Sequence, residues 1–273
     1  MAVDLTVKNY GAGMKLRIAA QSSWFPGLSN VEMVEQIAAY GYSAFENLDA
    51  GKWEDKAAVR AKCIELGVKP GCISGGGTIN GDGPVNLGYH EQFEQEVRQA
   101  IVNAKALGSA CLVALTGANR ERICFERQMD NLVIAGMRVA PMLEDAGVTL
   151  NFELLNTLVS HPGYFLVYSE HGAEMIDRID SPNVKMLFDV YHQQISEGNV
   201  INNIKKYIKQ IGHFHFAYNP GRNQPGTGEL NFKNIFKAIA ESGYEGLVSA
   251  ELSMTKGCSS DDVMRIIAEC ATW

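Results

Sequence analysis

Eight short apolar, β-rich runs recur along this 273-residue chain, and the segments between them carry helical periodicity. The runs are 15–21, 42–49, 69–74, 110–116, 148–156, 184–192, 212–219 and 246–254. Parallel neighbours in a sheet need a crossover, and such crossovers are right-handed, so alternation throughout implies a parallel sheet. Eight units favour a closed barrel, for which about 250 residues are typical. An open doubly wound sheet is the alternative, but no GxGxxG follows the first run and no Walker lysine motif is present. No linker or composition break divides the chain. The expected fold is therefore α/β, one (β/α)8 TIM barrel over residues 1–273, with 1–14 as an N-terminal extension.

Local signals agree with that alternation. Ser29-Asn30-Val31-Glu32 is a capping-box pattern that opens the first helix, and Gly41 closes it. Segments 90–107, 122–146 and 231–242 place apolar residues three and four apart. Gly67, Gly108, Gly147 and Gly243 stand where a helix gives way to the next strand. The glycine-rich stretch 75–83 lacks the GK[ST] ending of a phosphate cradle, and a loop over the barrel mouth explains it as well.

A formal net charge of -7 and the lack of a basic run argue against nucleic acid as a partner, because affinity for the phosphate backbone comes from clustered Lys and Arg. The apolar runs fall far short of the roughly 18 residues that a membrane helix needs. The N-terminus carries Asp4 and Lys8 and lacks the apolar stretch of a signal peptide. A cytoplasmic location is expected, with no membrane contact. The six cysteines form no CxxC pair, so reduced thiols are expected, with Cys72 and Cys111 as buried packing.

Catalytic groups of such a barrel gather where the carboxyl ends of the strands meet. The last four runs each place a polar residue near that end: Glu153, Asp189, His215 and Glu251, which stand 36, 26 and 36 residues apart. Each interval is about one βα unit, so the four are expected as neighbours around the ring. Three carboxylates in apolar surroundings cost several kcal/mol each unless something positive joins them. One divalent cation answers that need, and three carboxylates with one imidazole form a largely hard ligand set suited to Mn²⁺, Mg²⁺ or Co²⁺, with Zn²⁺ also compatible. His213 shares a face with His215, one layer deeper, and is expected to be structural. Trp24 and Phe25, just after the first run, are expected either to wall the substrate pocket, with Trp24 as the substrate-binding residue, or to pack the barrel end or a subunit contact, and Glu46 at the end of the second run stays unassigned.

At these residues the chain resembles the hydroxypyruvate isomerases and the ketose 3-epimerases of the xylose isomerase-like barrels. The carriers are Asn151-Phe152-Glu153-Leu154-Leu155-Asn156, His161-Pro162-Gly163-Tyr164, Phe188-Asp189-Val190-Tyr191-His192, the stretch Pro225-Gly226-Thr227-Gly228-Glu229-Leu230, and Ala250-Glu251. The resemblance implies that Glu153, Asp189, His215 and Glu251 hold one divalent metal, Mn²⁺ first among the candidates, and that Glu153 and Glu251 also move protons. It implies His192 and Arg222 beside the oxygens of a small ketose or 2-oxo-hydroxy acid, isomerised or epimerised through a metal-stabilised enediolate. It further implies a homo-oligomer. Three departures bear on the substrate. His215 stands where hydroxypyruvate isomerases carry glutamine, Leu158-Val159-Ser160 stands where many similar sequences have Lys and Asp, and 252–255 lacks the usual proline. The alternatives are a lyase of the same superfamily, dehydrating an inosose or cleaving a 3-oxo-glycoside, and a non-catalytic sugar-binding or partner subunit.

Overall fold

The computed structural model describes residues 8–273. Of the expected extension 1–14, residues 1–7 lie outside the described part. The strands are β1 (Arg17–Gln21), β2 (Ala44–Glu46), β3 (Lys69–Pro70), β4 (Ile73–Gly76), β5 (Cys111–Ala114), β6 (Thr149–Glu153), β7 (Val184–Asp189), β8 (Ile211–Phe216) and β9 (Leu247–Ala250). They form one sheet in the order β3-β2-β1-β9-β8-β7-β6-β5-β4, and every pair is parallel. The helices are α1 (Asn30–Ala39), α2 (Lys56–Leu66), α3 (His90–Leu107), α4 (Phe125–Ala146), α5 (Ser169–Ile179), α6 (Val190–Ser196), α7 (Val200–Tyr207), α8 (Phe232–Glu241) and α9 (Ser260–Cys270). This is the expected (β/α)8 barrel.

The third apolar run does not make one strand. Its first half, β3, pairs with β2, and its second half, β4, pairs with β5, so a single stave closes the ring from both sides. The break falls at Pro70-Gly71-Cys72, where proline has no N–H to give a ladder. Several other runs overshoot their strands for a different reason. Run 184–192 leaves the sheet at Asp189, whose side chain accepts the Tyr191 backbone N–H at 2.8 Å and starts α6. His192 therefore sits on a helix, not on a strand.

The caps read from sequence are present. The Ser29 hydroxyl accepts the Glu32 N–H at 3.3 Å, and the Glu32 carboxylate accepts the Ser29 N–H at 2.8 Å. Helix α3 buries Phe93, Val97, Ala100, Ile101, Ala104 and Leu107, one stripe at the three-and-four spacing, against the sheet. The glycines of 75–83 serve close backbone contact with the next loop. A Cβ on Gly77 would lie 1.8 Å from the Leu115 carbonyl oxygen, and Thr78 and Gly81 carbonyls accept the Gly117 and Ala118 N–H groups. One expectation is corrected: Cys72 and Cys111 are bonded as a disulfide, because the neighbouring strands β4 and β5 bring residues one βα unit apart to a Cα separation of 4.4 Å. Among the described residues no helix is long and apolar enough to cross a membrane.

Ser29→Ala removes the cap of α1. It is expected to lower stability by about 1 kcal/mol and the unfolding temperature by roughly 2–4 °C. A calorimetric scan that shows no change contradicts the cap's contribution.

Candidate metal centre at the barrel mouth

Strand ends and sheet register set this site. Glu153 ends β6 and Asp189 ends β7, while His215 pairs in register with Asp189 on β8. Glu251 follows β9, and its N–H is donated to the Phe216 carbonyl of the neighbouring β8 at 3.0 Å. One ligand atom from each of the four lies within 4.8 Å of the others. Glu153, Asp189 and His215 are buried, and Glu251 is half-buried. His215 Nδ1 lies 3.1 Å from Glu251 Oε2 and 3.8 Å from Glu153 Oε1. Glu153 Oε1 and Asp189 Oδ2 have no hydrogen-bond donor.

The electrostatics describe a set short of positive charge. Burial pushes the Glu153 and Asp189 carboxyls up. Burial also acts upward on Glu251, but His215 and Arg222 beside it outweigh that and hold it at about 2. Burial acts downward on His215, yet Glu46, Glu251 and Glu153 hold it well above its ordinary value. The cationic work is thus shared by a protonated imidazole and by Arg222, whose Nη2 lies 2.6 Å from Glu251 Oε2 and 3.6 Å from Asp189 Oδ2. Buried oxygens without donors, three carboxylates and one imidazole form a donor set that fits a hard divalent ion.

The residues expected at the substrate are also brought here, with one difference. Arg222 reaches in from the loop after β8 at φ 53°, with its guanidinium 5.3 Å from the centre of the Tyr191 ring. His192 is fully buried, and its Nδ1 accepts the Asn156 backbone N–H at 3.1 Å. That contact leaves the ring proton on Nε2, which lies 3.7 Å from Asp189 Oδ2 and has no acceptor in hydrogen-bond geometry. Trp24 is 1% exposed and gives its indole N–H to the Leu252 carbonyl at 3.4 Å. The cavity of about 220 Å³ beside Glu251 is lined instead by Gln21, Ser22, Ser23, Asn47 and Asp49, together with Glu46.

Sequence reasoning missed two of these residues. Asn156 fixes the His192 ring, and its Oδ1 accepts the Val159 and Ser160 N–H groups, so it orders the segment that departs from similar sequences. Glu46 lies against both His213 and His215. Its place at a strand's carboxyl end was the usable signal, since that criterion had found the other four. A larger cavity, about 590 Å³, opens at the opposite end of the barrel among strand starts such as Arg17, Lys69 and Cys111. Catalysis in these barrels belongs to the other mouth. Among the described residues two further groups bring potential ligand atoms together: Glu46, His213 and His215, and Cys72, Cys111 and His213, whose two sulfurs are bonded to each other.

Burial depresses the His192 imidazole from 6.5 to about 4. As pH falls, the unfolded chain takes up this proton first, so the stability present above pH 6.5 is lost as pH falls toward 4. At about 1.4 kcal/mol per pKa unit the loss is about 3 kcal/mol. His192→Gln is expected to remove that part of the acid sensitivity in urea unfolding of the metal-free protein; equal slopes for the two proteins contradict the buried neutral imidazole.

Comparison with known proteins agrees with this geometry. Residues 34–270 match the xylose isomerase-like TIM barrel family. A human protein named for hydroxypyruvate isomerase is 31% identical over 252 residues, 86% of this chain and 89% of that one. The hydroxypyruvate isomerase of Escherichia coli is 34% identical over 164 residues, 60% of this chain and 63% of that one. Among solved structures, an AP endonuclease of family 2 from Brucella melitensis aligns with a TM-score of 0.82 at 24% identity, covering 93% of this chain and 98% of that one. D-psicose 3-epimerase from Clostridium cellulolyticum aligns at 0.73 and 17%, covering 92% and 90%. At those identities the two structures show the fold alone. With the match over 34–270 and the 31% relative, the chain belongs to the xylose isomerase-like TIM barrel family, as one of its isomerase or epimerase enzymes.

Proposed function

We propose that this protein isomerises or epimerises a small ketose or 2-oxo-hydroxy acid by moving a proton beside a carbonyl, with one divalent metal ion held by Glu153, Asp189, His215 and Glu251. The convergence of those four ligand atoms, two of them buried oxygens with no donor, carries the reading. The names of the relatives support it: hydroxypyruvate isomerase for proteins of E. coli and human, and 2-oxo-tetronate isomerase for a Cupriavidus necator protein 32% identical over 178 residues. Mn²⁺, Mg²⁺ and Co²⁺ all suit the donors.

An ion bound there supplies positive charge to the carbonyl and neighbouring hydroxyl oxygens of the substrate, which stabilises negative charge as the proton leaves carbon. The chain does the rest. Glu251, after β9, and Glu153, at the end of β6, are the two carboxylates placed to take the proton from carbon and to return it. His192 presents its Nε2–H to a substrate oxygen, in the tautomer that Asn156 selects. Arg222 exchanges part of its contact with Glu251 for a substrate oxygen. Trp24 acts at one remove, holding the Leu252 backbone next to Glu251.

One proton shuttled between two carbons by a single base gives isomerisation, and two carboxylates acting on opposite faces give epimerisation. With two carboxylates the returned proton is a different one, and with a single base the abstracted proton exchanges with solvent while it rests on the carboxyl. NMR in D₂O with Mg²⁺ present, across hydroxypyruvate and C3 to C6 ketoses, is expected to show deuterium uptake for at least one of them. Glu251→Gln is expected to lower that rate by about 10²- to 10⁴-fold while the protein still takes up the ion. Full activity in that variant, or no exchange with any substrate by the wild type, contradicts the proposal.

A further inference from the structure

We infer that Glu46 is the residue that orients His215 for metal binding, as a positioning residue and not as a ligand; the inference rests on the metal reading above. Glu46 ends β2 and is 4% exposed. Its Oε1 lies 2.7 Å from His215 Nε2, and its Oε2 lies 3.0 Å from His213 Nε2. Both are ion-pair contacts rather than straight hydrogen bonds. Two further donors hold the carboxylate in place: the Ser249 hydroxyl at 2.8 Å and the Cys72 backbone N–H at 2.7 Å, both on Oε2.

The surrounding chain is shaped around this side chain. The Cys72 N–H is free for Glu46 because the third stave breaks at that point. Gly71 leaves the space, since a Cβ there would lie 2.6 Å from Glu46 Oε2 and 3.0 Å from Glu46 Cβ. A glycine, a strand break, a buried serine and two buried histidines therefore serve one carboxylate.

What this arrangement does follows from imidazole chemistry. A ring nitrogen ligates a metal only through its lone pair, and the acceptor beside the other nitrogen decides which one carries the proton. Nδ1 of His215 faces Glu251 and Glu153, and Nε2 faces Glu46. With the carboxylate beside Nε2 the proton stays there, and the Nδ1 lone pair points at the ligand set. His213, on the other carboxylate oxygen, keeps Glu46 from turning away. The two histidines on one face of β8 thus have a joint purpose: His215 binds, and His213 steadies the group that aims it.

Glu46→Gln keeps size and burial but offers one acceptor oxygen to two imidazoles. Wild type and variant, both stripped of metal, are titrated with Mn²⁺ by calorimetry, and their metal-free unfolding temperatures are compared. The expected result is one Mn²⁺ per wild-type chain and affinity about 10- to 100-fold weaker in the variant. A merely structural role lowers the unfolding temperature and leaves the affinity of the folded molecules unchanged, and that result overturns the inference while the metal reading stands. If the wild type takes up no Mn²⁺, the metal reading fails and this inference with it. Should Glu46→Gln not fold, Ser249→Ala, which removes one donor from the same carboxylate, decides by the same measure: several-fold weaker binding supports the role, and unchanged binding overturns it.

Discussion

Three carboxylates and a histidine face one another at the mouth of this barrel, and the rest of the site is arranged around their mutual repulsion. Buried in a low-dielectric wall, Glu153 and Asp189 gain nothing from water, and each keeps an oxygen without a donor. The chain supplies partial relief through Arg222 and a protonated His215. Both stand-ins are removable, because the arginine comes from a loop and the imidazole can lose its proton. A divalent ion would release both at once, freeing Arg222 for substrate and converting His215 into a ligand. Ion binding and site assembly would then be one event.

Most of the barrel was legible in the sequence, because its signals are local. Capping at Ser29 and Glu32, the apolar stripe of α3 and the glycines ending helices at 67, 108 and 147 depend on neighbours within a turn or two. The four candidate ligands were legible for a topological reason: spacing of about one βα unit along the chain becomes adjacency around a ring. What escaped depends on contacts across the barrel. The split of the third run needs both β2 and β5 to be in place, and the Cys72–Cys111 bond needs their side-by-side approach. Glu46 looked like any strand-end acid until its contacts with His213, His215, Ser249 and Cys72 were seen.

The same division applies to the substrate. The candidate ligands stand at strand ends, whose positions the sheet fixes. The rim is built from loops: 157–160 after β6, the Arg222 loop after β8, and the turn after β1 that lines the cavity with Ser22 and Ser23 while Trp24 turns inward. Leu158 and Val159 stand largely exposed there, at 74% and 66%, so the segment that differs from similar sequences offers apolar surface where those sequences carry charge. A shared barrel with a distinct rim is the physical reason why the reaction class is easier to assign than the sugar or keto acid.

The claim under all of this is that Glu153, Asp189, His215 and Glu251 enclose one cation. Diffraction from crystals grown with Mn²⁺, collected at the manganese absorption edge, tests it without reference to any substrate. The account predicts a single anomalous peak bounded by those four side chains, with Arg222 drawn back from Glu251. No peak there, or a peak only at another site, would contradict it.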